Sequence, residues 1–137
     1  MRNLDQERSV HARKRALAWK VLPEKERKEI LSECRRLPAV LQVNGLIAFL
    51  LFAESSRRSA ETGATMARGV TVLHEALSDW LSGPESPVEL SVGVSLPVAL
   101  TEDRRVYRQA FAEAIAYATW LKRWADATLA PVAAAGL

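Results

Sequence analysis

The stretch Glu102–Leu129, EDRRVYRQAFAEAIAYATWLKRWADATL, decides the fold. Along it Tyr107, Phe111, Ala114, Ala118, Leu121 and Ala125 recur at spacings of 4, 3, 4, 3 and 4. That spacing is the one-sided stripe of an amphipathic α-helix. Val106, Ala110, Tyr117 and Trp124 widen the stripe, while Arg105, Arg108, Lys122 and Arg123 fall toward the opposite face. Arg108 and Arg123 are 15 residues apart, which is about 22 Å along a helix. A basic strip of that length suits several phosphates. Thr101 is the expected N-cap, with Glu102 and Asp103 complementing the helix dipole.

Immediately upstream, residues 83–100 carry Pro84, Pro87, Gly93 and Pro97, which break helix repeatedly. So long a connection either folds back over a bundle or moves. It also holds a weak Val/Ser alternation near residues 88–96, a faint strand-like pattern. Before it, Val70, Leu73, Leu77 and Leu81 mark a helix over about 64–82, with His74 and Trp80 near its edges and Thr62 or Thr65 as a cap. Residues 55–63, SSRRSAETG, read as a polar loop.

The segment 38–55 is apolar nearly all round and is expected at the centre of the bundle. Gly45 within it weakens a helix by about 1 kcal/mol relative to Ala but lets another backbone approach closely. Asn44 is then a buried polar group that needs a partner. Pro38 disfavours helical geometry at Leu37, so a break is expected there. A helix over about 24–36 precedes it, with Ile30, Leu31 and Cys34 as a narrow stripe. The first helix covers about 3–21, with Val10, Leu17 and Val21 on its apolar side and Arg8, Arg13, Lys14, Arg15 and Lys20 spread over the rest. The tail from residue 130 to 137 is expected to fray. Together these readings give a compact, single-domain, all-α bundle of about five helices over residues 1–137.

Composition agrees. A chain of 137 residues with 49% apolar content suits one domain with a real core. The net charge of +3 is uneven. Residues 1–36 hold 11 Lys/Arg against 6 Asp/Glu, and the remainder holds 8 against 10. The basic end points to an anionic partner, with a solvated basic helix as the plain alternative. The one cysteine, Cys34, excludes an internal disulfide and fits a reducing cytoplasm. The N-terminus lacks the apolar core of a secretory signal. The longest apolar stretch, 17 residues from Leu37 to Ala53, falls short of the roughly 20 that span a bilayer.

No catalytic constellation is visible. His11 and His74 have no Cys or carboxylate at ligand spacing, and Cys34 reads as an ordinary buried thiol. Phosphate-loop and dinucleotide fingerprints are absent. Neither metal nor cofactor is expected. The four tryptophans, Trp19, Trp80, Trp120 and Trp124, suit core packing first and base stacking second.

Two stretches carry a resemblance. The first is Leu37-Pro38-Ala39-Val40-Leu41-Gln42-Val43-Asn44-Gly45-Leu46, with Ala48-Phe49 and Ala53-Glu54-Ser55-Ser56-Arg57 after it. The second is Tyr107-Arg108, Glu113-Ala114 and Trp120-Leu121-Lys122-Arg123-Trp124-Ala125. Together they resemble the small-subunit family of the CRISPR type III-B (Cmr) effector complex. The departures are mild: Arg57 stands where Lys is usual, Ile115 replaces Leu and Trp124 replaces Phe. The connection 83–100 is richer in Pro and Gly than the pattern leads one to expect. The matches cover about a third of the chain.

The resemblance implies a helical bundle without chemistry of its own. It implies other subunits of the effector complex and further copies of itself as partners in antiviral defence. It further implies that guide and target RNA are met through their phosphate backbone, with no membrane involved. Arg108, Lys122 and Arg123 from the matched motif, and Arg57, are the candidate RNA-binding residues. Arg13, Lys14 and Arg15 join them on composition alone. Two other readings stand beside this one. One is a protein-only interaction module, including the type III-A small subunit, in which RNA is never touched. The other is a helical enzyme with a scattered site, which a concave cluster of perturbed titratable groups would reveal.

Overall fold

The computed structural model describes residues 3–61, 68–90 and 93–131, with their side chains apart from those of residues 57–61 and 68. Six helices and no strand occur among the described residues. The expected helix at the C-terminal end is α6, Arg104–Thr128, and it is the axis of the molecule. Ala110, Ala114, Tyr117, Ala118, Leu121 and Ala125 on it are fully buried, as the stripe predicts, while Tyr107 and Phe111 are half-buried at one end. Its cap differs from expectation. Asp103 accepts from the backbone N–H of Arg105 and Val106. Thr101 lies in a preceding short helix, α5 (Leu96–Glu102), and its hydroxyl donates to the Val98 carbonyl. A carboxylate at the cap also complements the helix dipole.

Helix α1, Leu4–Lys20, runs beside α6 in the same direction, with Asp5 meeting Trp120 and Ser9 meeting Trp124. Its buried residues are Ala12, Ala16 and Trp19. The expected apolar side is instead the wet one: Val10 is 52% exposed, Leu17 41% and Val21 84%. A hydrophobic reading misses the inward face because, apart from Trp19 at its end, it is built from small and polar residues. Ala12 and Ala16 let the helices approach closely, and Arg8 and His11 find polar partners across the seam.

Helix α2, Glu24–Asn44, runs antiparallel to α6, so that Arg35 meets Asp126 and Gly45 approaches Tyr107. It passes through Pro38 without the expected break. Proline there removes one N–H donor and disfavours the helix by about 3 kcal/mol. Ile30, Leu31, Cys34, Leu37 and Leu41 form one unbroken buried stripe across it. Each buried large side chain contributes roughly 1.5–3 kcal/mol, so packing wins over local preference. The break falls at Gly45, with φ +87° and ψ 162°. Only glycine takes such a φ readily, and a Cβ there would sit 3.2 Å from the Tyr107 hydroxyl.

Helix α3, Leu46–Glu61, therefore starts after the corner and continues through the expected polar loop as far as residue 61. Residues 62–63 of that loop, with Thr62 and Thr65, lie outside the described residues. The segment 38–55 is not central all round. Leu41, Leu46, Phe49, Leu50 and Ala53 are buried, but Val43 is 81% exposed, Leu51 51% and Phe52 61%. Asn44 is exposed rather than buried.

Helix α4, Arg68–Leu81, buries Val70, Leu73, Leu77 and Leu81 as its spacing predicts. The start expected at residues 64–67 lies outside the described residues. Trp80, expected near an edge, is a core residue stacked on Tyr117 with ring centroids 5.4 Å apart. Beyond it the connection folds back over the bundle: Val88, Pro97, Ala99 and Leu100 are buried. The strand-like alternation forms no strand among its described residues. Of the expected frayed tail, residues 132–137 lie outside the described residues.

Candidate nucleic-acid interface

A polar cluster fixes how α1, α4 and α6 meet. Glu113 of α6 is buried in the middle of the apolar stripe. Arg8 of α1 grips it with two bonds of 2.6 Å, from Nε and Nη2, and Trp80 Nε1 donates to it at 2.9 Å. Arg8 also donates to Asp5, which holds the Asp5 carboxyl below its usual range, with the Trp120 indole N–H as a further cause. Paired, hydrogen-bonded charge of this kind is what a core tolerates.

Beside it, His11 Nδ1 lies 2.5 Å from the Tyr117 hydroxyl and Nε2 lies 2.7 Å from Asp79. Arg15 reaches the same Asp79 oxygen at 3.0 Å. The hydrogen bond from His11 and then that from Arg15 hold Asp79 below the ordinary carboxylate range. Burial pushes the Tyr117 phenol well above its ordinary value. The chain Tyr117–His11–Asp79 has the connectivity of a relay between nucleophile, base and orienting acid. Tyr117 is fully buried under Trp80 and His11, and the relay ties α1, α4 and α6 together. Cys34 is buried too, its thiol pushed up to about 12 by desolvation. No group of three or more potential metal ligands gathers among the described residues.

The outer face of the same seam is basic and aromatic. Trp120 and Trp124 are anchored by their indole N–H groups, to Asp5 at 3.4 Å and to Ser9 at 2.9 Å. Their rings carry cations: the Arg123 guanidinium sits 4.8 Å from the Trp120 centroid and the Arg13 guanidinium 5.7 Å from that of Trp124. Such contacts hold an arginine in place while leaving its charge at the surface. Two candidates far apart in sequence, Arg13 and Arg123, are thus brought to neighbouring rings.

Lys14, Lys122 and Arg108 are exposed, Arg108 at the far end of α6. Arg15 is turned toward Asp79 and belongs to the internal cluster. Arg57 lies on α3, but its side chain is outside the described residues.

The Glu113 cluster and the arginine–tryptophan pairs are absent from the sequence reading. A signal existed for the first, because Glu113 falls between Ala110 and Ala114 on a stripe that should be apolar. The Arg123–Trp120 pair had one as well, its i,i+3 spacing on α6, whereas the Arg13–Trp124 pair across α1 and α6 left none, since a contact between residue 13 and residue 124 has no local signature.

The family model described as CRISPR-associated protein (Cas_Cmr5) matches residues 4–128, which run from the start of α1 to the end of α6. A search of curated proteins finds no match.

Proposed function

The chain belongs to the CRISPR-associated protein (Cas_Cmr5) family, the small subunits of the type III-B Cmr complex, and from that premise we propose that it is a non-catalytic, cytoplasmic subunit that contacts guide and target RNA. It stacks with further copies of itself beside the backbone subunits and contributes to antiviral defence. Base pairing between guide and target supplies the sequence information. This subunit supplies positive charge to phosphates through Arg13, Lys14, Arg108, Lys122 and Arg123, with Arg57 as a further candidate on α3. Arg15 contributes less, since Asp79 already neutralises it. The observation that carries the reading is the pinning of Arg13 and Arg123 on adjacent tryptophans, which places two guanidinium forks at fixed positions on one exposed seam. Exposed Val43, Leu51 and Phe52 offer apolar surface for a neighbouring subunit to cover. They also favour the second reading, a protein-only module.

Salt titration of RNA binding tests it. The isolated chain is expected to bind RNA weakly and without sequence preference. Log K should fall linearly with log salt, by about 0.7 per phosphate on a single strand. Charge reversal at Lys122 and Arg123 should weaken binding and flatten that slope. Tight, sequence-selective binding that ignores salt would refute the mechanism. If the same reversal abolishes assembly of the effector complex and leaves RNA binding untouched, the protein-only module is correct.

A further inference from the structure

Between α1 and α6 the surface opens into a hollow of about 480 Å³ lined by Asp5, Gln6, Ser9, Val10 and Trp120. Its size lies within the roughly 300–1,000 Å³ of small-molecule sites. Its walls are a partly buried indole, an exposed valine and three polar side chains, Asp5, Gln6 and Ser9. Trp120 is held in place, its N–H on Asp5 and the Arg123 guanidinium stacked on its ring. Arg123 does not line the hollow, but it lies near enough to the Asp5 carboxylate of its wall to act on it electrostatically. A fixed aromatic face with room beside it and cations along the same seam combines the two parts of a single-strand nucleic-acid site, a stacking platform and an electrostatic track.

We propose that this hollow takes one unpaired nucleobase, stacked against Trp120, while Arg123 and Arg13 hold the adjoining phosphates. The proposal rests on the RNA-contacting reading above and adds to it a requirement for a base that is out of a duplex. A peptide side chain would also fill an aromatic hollow, but the flanking guanidinium groups favour a polyanion. Stacking is tolerant of base identity because every base has a π-face, so the site adds affinity for unpaired segments and no sequence preference.

The test uses two labelled single strands of equal length, an oligoadenylate and a ribose-phosphate strand without bases, in anisotropy titrations at one low salt concentration. The full-length protein is expected to prefer the oligoadenylate by about tenfold, within the range of a single lost stack. Trp120→Leu should abolish the preference, bringing both strands to one affinity at or below the abasic value of the unaltered protein, and Trp120→Phe should keep most of the preference. The preference of the unaltered protein needs no variant, so a destabilised Trp120→Leu leaves the test intact. Equal, salt-dependent affinity for both strands would overturn the hollow as a base site and leave the phosphate reading standing. No binding to either strand would remove both. Equal affinities together with failure of Trp120→Leu to join the effector complex would assign the hollow to a protein neighbour instead.

Discussion

Glu113 stands at a position where the α6 stripe should be apolar, and three donors converge on it: Arg8 Nε, Arg8 Nη2 and Trp80 Nε1. Removing one partner of a buried ion pair strands the other, which typically destabilises by about 3–5 kcal/mol. Arg8 keeps some access to water, with 15% of its side chain exposed, so Glu113→Ala should sit at the lower end, about 3 kcal/mol. Glu113→Gln keeps one acceptor oxygen, enough for Trp80 and Arg8 Nε, but loses the charge and sets its NH2 against Arg8 Nη2, so it should recover only a small part of that loss. Urea midpoints at constant m check both, and an unchanged midpoint for Glu113→Ala would show that the cluster contributes nothing. The position of this carboxylate was legible in the sequence as an interruption of the stripe. Its partners were not, because they lie 105 and 33 residues away.

Cys34 carries the second argument at this scale. Its folded thiol ionises only near 12, against 9.0 for a free one, chiefly because burial penalises the thiolate. A raised pKa means that the unfolded chain releases its proton first. The contribution to stability is therefore complete below pH 9.0 and is lost as pH rises toward about 12. Between pH 9 and 11 the protein should lose stability more steeply than its Cys34→Ala variant, measured as ΔG of unfolding against pH. Parallel profiles would contradict the assigned burial. At neutral pH the native thiol should resist aromatic disulfide reagents.

At the scale of elements, the sequence located the interior of helices better than their ends. The stripes of α4 and α6 are long and regular, and both are buried as read except at Tyr107 and Phe111, which are half-buried. The break between α2 and α3 was displaced from Pro38 to Gly45 because the buried stripe from Ile30 to Leu41 outweighs one proline. Gly45 alone can take φ +87° without strain. Two opposite effects follow. Pro38→Ala restores an N–H for the helix and should stabilise by about 2 kcal/mol, the helix gain less the entropy returned to the unfolded chain. Gly45→Ala should destabilise by about 1–2 kcal/mol through its φ, with crowding against the Tyr107 hydroxyl. Thermal midpoints decide both, and a stabilising Gly45→Ala would mean that the corner can relax into continuous helix. The misread face of α1 has another cause: hydrophobic periodicity reports bulk, while Ala12 and Ala16 are buried for their smallness.

For the whole molecule the question is which contacts make six helices one unit. The axis α6 packs against α1, α2, α4 and α5. The ties that cross the greatest length of chain are polar: Arg8 to Glu113, His11 to Tyr117, and Trp124 to Ser9. They join the first helix to the last, so α1 cannot leave without stranding Glu113 and exposing Trp19, which is 6% exposed in the fold. Local unfolding of α1 is therefore expected to cost nearly as much as global unfolding. Tryptophan emission reports α1, α4 and α6 through Trp19, Trp80, Trp120 and Trp124, and far-ultraviolet dichroism reports all helices. Both probes, and the exposure of the Cys34 thiol on α2, should follow one urea transition with a common midpoint. A tryptophan change that precedes the loss of helix would show α1 detaching first. The Arg13–Trp124 pair, which alone of the two arginine–tryptophan pairs crosses from α1 to α6, would then form only when α1 is docked, and RNA affinity would fall at the earlier of the two midpoints.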